Sequence, residues 1–248
     1  MAGHSKWAQI RRQKGVNDAK RSQIFTKLGR EISVAVRQGG PDPDANFRLR
    51  LAVQRARDAN MPADTIERAI KKAAGEGNTD ALEELTYEGY GPGGIAIMVQ
   101  ALTDNRNRTA SDVRSVFNKL GGNLGEAGCV AWQFQQAGVV TVEPDGVDAD
   151  DLALLAIDAG ASDVQVTSGQ IDVVTPPEAL ESVKQALEGA KAKILAAEIA
   201  MNPTTLVSLD EKQAEQTLRL LDRLDDLDDV QRVYTNADFS TASVDGSG

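Results

Sequence analysis

The sequence has little of the chemistry on which disulfide, metal and redox sites depend. Its 248 residues include one cysteine, Cys129, and one histidine, His4. A lone cysteine cannot form an internal disulfide, and this pair falls short of the four ligands of a structural zinc site. A chain without disulfides is typical of a reducing cytoplasm. We therefore expect a cytoplasmic protein with no metal, no cofactor and no disulfide.

Long apolar segments are also absent. The longest runs, residues 94–99 and 194–197, are far shorter than the ~20 residues that span a bilayer. The basic N-terminus lacks the apolar stretch and the small-residue cleavage site of a secretory signal. With 41% hydrophobic and 26% charged residues, the composition is that of a globular chain. We expect no membrane partner.

The charge of −10 is distributed unevenly along the chain. Residues 1–75 hold 16 Lys or Arg and seven Asp or Glu, a net charge of +9, whereas the remainder holds 11 and 30, a net charge of −19. Such a division points to a polyanion-binding module joined to a body that does not bind polyanions. The alternative is that the basic and acidic regions attract one another, or that both are solvated helix faces.

The spacing of apolar residues predicts three helices in the first 75 residues. Ile24, Leu28, Ile32 and Val36 recur at helical steps until the glycines at 39–40, and two shorter helices follow. Residues 1–16 have no such periodicity, so we expect this basic arm to order only on a partner. Residues 1–78 are thus predicted to form a small helical domain with a basic arm.

Beyond residue 78 the apolar period changes from helical steps to alternation, which favours strands. Residues 137–203 read as β-α-β-β-α-β, the order of a ferredoxin-like domain, and they carry a net charge of −9. Strands at 95–102, 128–134, 204–209 and 230–235 with helices at 109–120 and 211–224 give the same order. The predicted fold is α+β with three domains: a helical one, a ferredoxin-like one (79–136 plus 204–239) and a second inserted into it (137–203). Residues 240–248 read as a disordered tail.

The basic N-terminal region is the candidate nucleic-acid site. Its cations would neutralise phosphates and release counterions, and Trp7 would either stack on an unpaired base or anchor the arm on the helical domain. His4 is expected to contact the ligand rather than to act as a catalyst, because no second histidine or nearby acid completes a catalytic set. The predicted binding residues are His4, Lys6, Trp7, Arg11, Arg12, Lys14, Lys20, Arg21, Lys27 and Arg30.

Three further motifs have structural as well as functional interpretations. Thr109 is predicted to cap a helix, and Arg106 and Arg108 beside its N-terminus could bind a phosphate or carboxylate there, or could pair with Asp104 or Asp112. Residues 89–94 match G-x-G-x-x-G, but they precede a strand, which excludes a dinucleotide-binding turn. Trp132 alternates with Phe134, and without an RNA-recognition signature before them both are predicted to be core residues.

Several long motifs resemble the YebC family, which includes the mitochondrial translational activator of cytochrome oxidase. They are Met-Ala-Gly-His-Ser-Lys-Trp at residues 1–7, Asp-Ala-Lys-Arg at 18–21, Ile-Glu-Arg-Ala-Ile-Lys-Lys at 66–72, Tyr-Glu-Gly-Tyr-Gly-Pro-Gly-Gly at 87–94 and Ala-Leu-Thr-Asp-Asn-Arg-Asn-Arg-Thr at 101–109. The resemblance implies a three-domain protein. It also implies either a cytoplasmic DNA-binding transcriptional regulator or a translation factor that relieves ribosome stalling on proline-rich stretches.

We expect a non-enzymatic regulator of gene expression that binds rRNA, tRNA or DNA through its N-terminal region. A ribosome-associated translation factor is favoured, because the sequence shows neither a recognition-helix motif nor a dimer seam of the kind found in sequence-specific DNA readers. A DNA-binding transcriptional regulator is the alternative. A phosphoesterase using Asp104 and a metal is disfavoured, since no nucleophile and base stand at recognisable spacing.

Overall fold

A computed structural model describes residues 18–75, 82–167 and 169–239 of the chain. The predictions for the basic arm, including His4, Lys6, Trp7, Arg11, Arg12 and Lys14, and for the tail at 240–248 lie outside the described residues.

The three N-terminal helices are confirmed, and they form a bundle with its own core. They are α1 (Asp18–Gly39), α2 (Phe47–Asp58) and α3 (Ala63–Ala74). Ile32, Leu49 and Ala56 are fully buried at their contact. Asn46 caps α2, since its side-chain oxygen accepts from the backbone N–H of Leu49 at 3.0 Å. The Asn46 amide also donates to the Ala35 carbonyl at 2.8 Å, which fixes the turn between α1 and α2.

Two four-stranded antiparallel sheets and a two-stranded pair follow the helices. The elements are, in chain order, β1 (Glu83–Tyr90), β2 (Ala96–Thr103), α4 (Arg106–Lys119), β3 (Asn123–Leu124), β4 (Phe134–Glu143), α5 (Ala149–Asp158), β5 (Asp163–Thr167), β6 (Gln170–Thr175), α6 (Leu180–Gly189), β7 (Lys193–Pro203), β8 (Val207–Ser208), α7 (Glu211–Asp225), β9 (Val230–Thr235) and β10 (Ala237–Asp238).

The second sheet has the strand order β5-β6-β4-β7, and α5 and α6 pack on one of its faces. Its β4 pairs antiparallel with both β6 and β7, and β5 pairs with β6. This is the split β-α-β arrangement predicted for residues 137–203. Val140, Ile171 and Leu187 are fully buried in its core.

The first sheet, with the order β3-β1-β2-β9, departs from the prediction in three ways. The strand predicted at 204–209 is reduced to β8, which pairs with β10 outside this sheet. Strand β1 was not predicted, although its eight residues pair along their whole length with β2. Residues 128–134 were predicted as a strand, but they form a loop and a 3₁₀ turn at Ala131–Gln133 before β4 begins. The backbone N–H groups of this loop bind the Glu88 carboxylate instead of a neighbouring strand.

A partly buried ion-pair cluster lies where the helical bundle meets the two sheets. The Arg232 guanidinium of β9 donates to Glu31 of α1 at 2.9 Å and to the Ile199 carbonyl of β7 at 2.6 Å. Arg55 of α2 reaches the same Glu31 carboxylate at 2.7 Å. Because each partner comes from a different element, this cluster fixes the bundle against both sheets.

Candidate nucleic-acid interface

One face of α1 carries cations that contact the acidic turn between α7 and β9. Lys20 and Lys27 lie seven residues apart, two helical turns, and therefore project from the same side of the helix. The Lys20 ammonium is 3.8 Å from the Asp226 carboxylate. Lys27 donates to the Asp225 carbonyl, and Gln23 donates to the Asp226 carbonyl at 2.5 Å. Carbonyl and carboxylate oxygens of the chain itself thus occupy this face.

Asp229 is the centre of that contact. Its carboxylate is buried, and it accepts from Arg30 of α1 at 2.8 Å and from Arg108 of α4 at 2.7 Å. The hydroxyl of Thr109 donates to it at 2.8 Å and that of Thr103 at 3.2 Å. Burial alone would raise the pKa of Asp229, but these donors outweigh burial and lower it. The carboxylate is therefore ionised and bridges α1 to the first sheet.

The predicted secondary anion site is thus filled by an anion of the protein itself. Arg108 donates to Asp104 as well as to Asp229, each at 2.7 Å, and these carboxylates raise its pKa. Arg106 turns to Glu83 at 3.5 Å. The cap of α4 is Asn105 rather than Thr109, because the Asn105 side chain accepts from the Arg108 backbone N–H. This cluster stabilises the fold instead of offering a free phosphate site.

Aspartates between α7 and β9 contact α1, since Asp226 pairs with Lys20 and Asp229 with Arg30. Of the four predicted binding residues that the structure describes, Lys20, Lys27 and Arg30 contact this turn. Arg21 points elsewhere: it is exposed, and its guanidinium lies 5.5 Å from the centre of the Phe25 ring. The alternative of attraction between basic and acidic regions is therefore realised along one face of α1.

Five other cations of the bundle lie away from every carboxylate of the described residues. Within residues 18–75, 82–167 and 169–239, no carboxylate lies at ion-pair distance from five exposed side chains. Arg50 and Arg68 donate only to carbonyls and a hydroxyl of their own surroundings. The five side chains, which we call the open cations, are Arg21, Arg50, Arg57, Arg68 and Lys72.

The loop before β4 displays an aromatic side chain that the sequence analysis placed in the core. Trp132 is 74% exposed, whereas Phe134 is buried as predicted. The Glu88 carboxylate accepts from the backbone N–H groups of Gly128, Val130 and Ala131, each at 2.8 Å. The alternation of apolar residues could not predict this exposure. The conformation of the loop is set by hydrogen bonds to the Glu88 carboxylate, 40 residues before Gly128, and not by pairing with a neighbouring strand.

Metal, membrane and thiol chemistry find no support in the described part of the chain. No group of three or more His, Cys, Asp or Glu side chains there is arranged to hold a metal ion. Within the same ranges no helix has the length and apolarity to cross a bilayer. Burial and the nearby Glu88 carboxylate raise the pKa of the Cys129 thiol, which keeps it protonated at neutral pH.

Comparisons with known proteins cover nearly the whole chain. The family model described as the TACO1/YebC protein N-terminal domain matches residues 5–76, and that of the TACO1/YebC second and third domain matches residues 82–237. Similar proteins from Thermomicrobium roseum (57% identical, 96% of this chain and 97% of the relative) and Desulfosudis oleivorans (53%, 97% and 98%) are both named probable transcriptional regulatory protein.

A solved structure is similar over the same length. The crystal structure of a conserved hypothetical protein from Aquifex aeolicus superposes with a TM-score of 0.81 at 49% identity, covering 89% of this chain and 91% of the other. The family models, the relatives and this fold agree with the motifs quoted from the sequence, and on their evidence the chain belongs to the TACO1/YebC family.

Proposed function

We propose that this chain is a non-enzymatic, nucleic-acid-binding regulator of gene expression that acts through its N-terminal basic region. The observation that carries the proposal is the set of open cations on a helical bundle that belongs to a segment of net charge +9. Cations that face water and lack carboxylates remain available to neutralise phosphates. The arm residues His4, Lys6, Trp7, Arg11, Arg12 and Lys14 belong to the same basic segment of the sequence.

The internal ion pairs refine which residues bind. Lys20, Lys27 and Arg30 contact the α7–β9 turn, so their principal role is to hold α1 on the first sheet. The open cations, Arg21 among them, and the arm residues carry the binding in this proposal. The acidic remainder of the chain, with a net charge of −19, repels phosphate and orients the basic end toward it.

A catalytic role is disfavoured by the surroundings of the candidate groups. Asp104, which a phosphoesterase would need as a metal ligand, pairs with the Arg108 guanidinium at 2.7 Å. The Cys129 thiol has a raised pKa, which suppresses the thiolate that a nucleophile requires.

Between the two forms of regulator we favour a ribosome-associated translation factor that binds rRNA or tRNA and relieves stalling on proline-rich stretches. The resemblance to the family's translation factors supports this form. The names of the relatives, probable transcriptional regulatory protein, support the alternative, a DNA-binding transcriptional regulator. Sedimentation through a sucrose gradient separates the two: a translation factor comigrates with ribosomes at low salt and dissociates at high salt. Protection of a promoter without comigration would establish the alternative.

Nucleic-acid binding itself is tested by a triple substitution of Arg11, Arg12 and Lys14 by Ala. We expect weaker binding and a salt dependence with a smaller slope, because three phosphate contacts are lost. The matched control replaces Lys184, Lys191 and Lys193 by Ala, which removes the same charge from the acidic inserted segment. Equal affinities of the two triple variants would overturn the assignment of binding to the basic arm.

A further inference from the structure

We infer that Trp132, together with Tyr90, is a stacking site for an unpaired base of single-stranded nucleic acid. The inference rests on the proposed nucleic-acid binding and adds a second contact, on the first sheet rather than on the helical bundle. Four observations of the loop before β4 support it.

The first observation is exposure. Trp132 is 74% exposed and Tyr90 is 37% exposed. The loop around them exposes no other large apolar side chain, since its exposed residues are Gly125, Glu126, Ala127 and Gly128 while Val130 is fully buried. A protein partner would bury a contiguous apolar patch, whereas a base needs only the face of a ring. The surroundings therefore favour a base over a protein.

The second observation is that the polar edges of both rings are already satisfied. The Trp132 indole N–H donates to the Cys129 carbonyl at 3.1 Å, and the Tyr90 hydroxyl donates to the same oxygen at 2.8 Å. Two donors on one acceptor bring the two rings to one point of the surface. Since their hydrogen-bonding atoms are engaged, what the rings offer a ligand is their faces.

The third observation is that the backbone on both sides of Trp132 is fixed. The Ala131 N–H binds the Glu88 carboxylate at 2.8 Å, and the Gln133 carbonyl accepts from the Thr204 N–H at 2.8 Å. A ring held in place before the ligand arrives loses less conformational entropy on binding. The loop therefore presents Trp132 in a preorganised position.

The fourth observation is the cost of that arrangement. Glu88 is only 7% exposed, and a buried carboxylate is unfavourable unless donors surround it. Burial raises its pKa, but the backbone N–H groups of the loop outweigh burial and lower it. The buried Glu88 carboxylate thus shapes a loop whose largest side chain, Trp132, faces water. Ligand binding explains this arrangement better than packing does, because Trp132 adds little to the core.

The experiment uses the fluorescence of Trp132 in the full chain. The sequence has two tryptophans, so Trp7→Phe leaves Trp132 as the only tryptophan whose emission is followed. The probes are a single-stranded oligouridine RNA of about 12 nucleotides, an abasic oligomer of equal charge and an RNA duplex of the same length. We expect the single-stranded RNA to quench the emission, and the abasic oligomer and the duplex to bind without quenching it.

Affinities measured in the same Trp7→Phe background complete the test. Trp132→Ala should weaken binding of the single-stranded RNA by about 5- to 150-fold, the loss of one base stack, and leave affinity for the abasic oligomer unchanged. Trp132→Phe should retain most of the affinity. Leu154→Ala, which removes another largely exposed apolar side chain from the inserted segment, is the matched control and should change nothing.

Each other outcome contradicts the inference in a distinguishable way. RNA binding without quenching, and with equal affinity for Trp132→Ala, would reject the stack and leave the proposed function standing. If Trp132→Ala lost ribosome comigration but kept its RNA affinity, Trp132 would contact a protein, and the stack would be rejected. Failure of the unsubstituted chain to bind any nucleic acid would overturn the proposed function and the stack together.

Discussion

Two buried carboxylates, each 7% exposed, organise opposite ends of the first sheet by different means. Asp229, just before β9, is held by two guanidinium groups and two hydroxyls. Glu88, in β1, is held by three backbone N–H groups and no cation. Asp229 joins α1, α4 and β9, whereas Glu88 shapes a single loop. The two sites show how the chain uses buried negative charge for two purposes.

The two carboxylates differ in how many cations of the helical bundle they engage. Asp229 and its turn engage Arg30, Lys27 and Lys20, so that this face of α1 holds the fold together. Glu88 consumes no cation, and its backbone donors leave the neighbouring aromatic rings facing solvent. Function is therefore expected at the open cations and at Trp132, and stability at Asp229.

Removal of the Asp229 carboxylate is expected to have the largest effect. Asp229→Ala removes the carboxylate between two guanidinium groups, which leaves Arg30 without its ion-pair partner and Arg108 with Asp104 alone. We expect the free energy of unfolding to fall by about 3 kcal/mol, the scale for breaking a buried charge cluster. Urea unfolding followed by circular dichroism measures it. A loss below about 0.5 kcal/mol would mean that the cluster does not fix α1.

Glu88→Gln should lower the free energy of unfolding by less than Asp229→Ala does, because it disrupts only one loop. The amide offers its N–H₂ to backbone donors, so at least one buried N–H loses its acceptor, at about 2 kcal/mol. In the Trp7→Phe background we expect lower fluorescence anisotropy of Trp132 and weaker quenching by single-stranded RNA. Unchanged anisotropy would show that Glu88 does not position the ring. Glu126→Gln, a change at an exposed carboxylate of the same loop, is the control.

Arg30 and Arg21 provide a matched pair on one helix. Arg30→Ala removes a donor to Asp229 and should destabilise the protein by about 1.5 kcal/mol, the scale for a hydrogen bond to a charged group. Arg21→Ala should alter stability by less than about 0.5 kcal/mol but weaken nucleic-acid binding. The reversed pattern, in which Arg30→Ala affects binding and Arg21→Ala affects stability, would invalidate the division between paired and open cations.

Low pH should destabilise the protein, because Asp229 and Glu88 become protonated. This is the smallest of the four effects that we expect. The folded pKa of each is lowered, so the unfolded chain binds more protons near pH 4. Their contribution is complete above pH about 5 and is lost as the pH falls through the folded pKa. Urea midpoints between neutral and acid pH should fall less steeply in Glu88→Gln and in Asp229→Asn. Parallel pH profiles of variants and parent would contradict this.

Much of the local structure could be predicted from residue patterns. The stripe of Ile24, Leu28 and Ile32 predicted α1, because a helix that buries one face repeats apolar residues at its own period. The inserted sheet was equally predictable, since its strands alternate and glycines mark its turns. Strand β1 was missed because polar and glycine residues at 83–90 hide its alternation; only pairing with β2 makes it a strand.

The candidate site was less predictable, and the reason is distance along the chain. Arg30 and Asp229 are 199 residues apart, and Glu88 and Ala131 are 43 apart. The periodicity of apolar residues cannot predict contacts between residues so far apart in the sequence. The basic character of the N-terminal segment was visible, but which of its cations meet carboxylates was not.

By itself the sequence determined the fold class, the three helices, the inserted ferredoxin-like sheet and the separation of basic from acidic segments, since all of these follow from local period and composition. Only the tertiary structure decided that Lys27 and Arg30 serve the fold and that Trp132 faces water. A side chain's role depends on the groups that surround it, and here those groups come from distant parts of the chain.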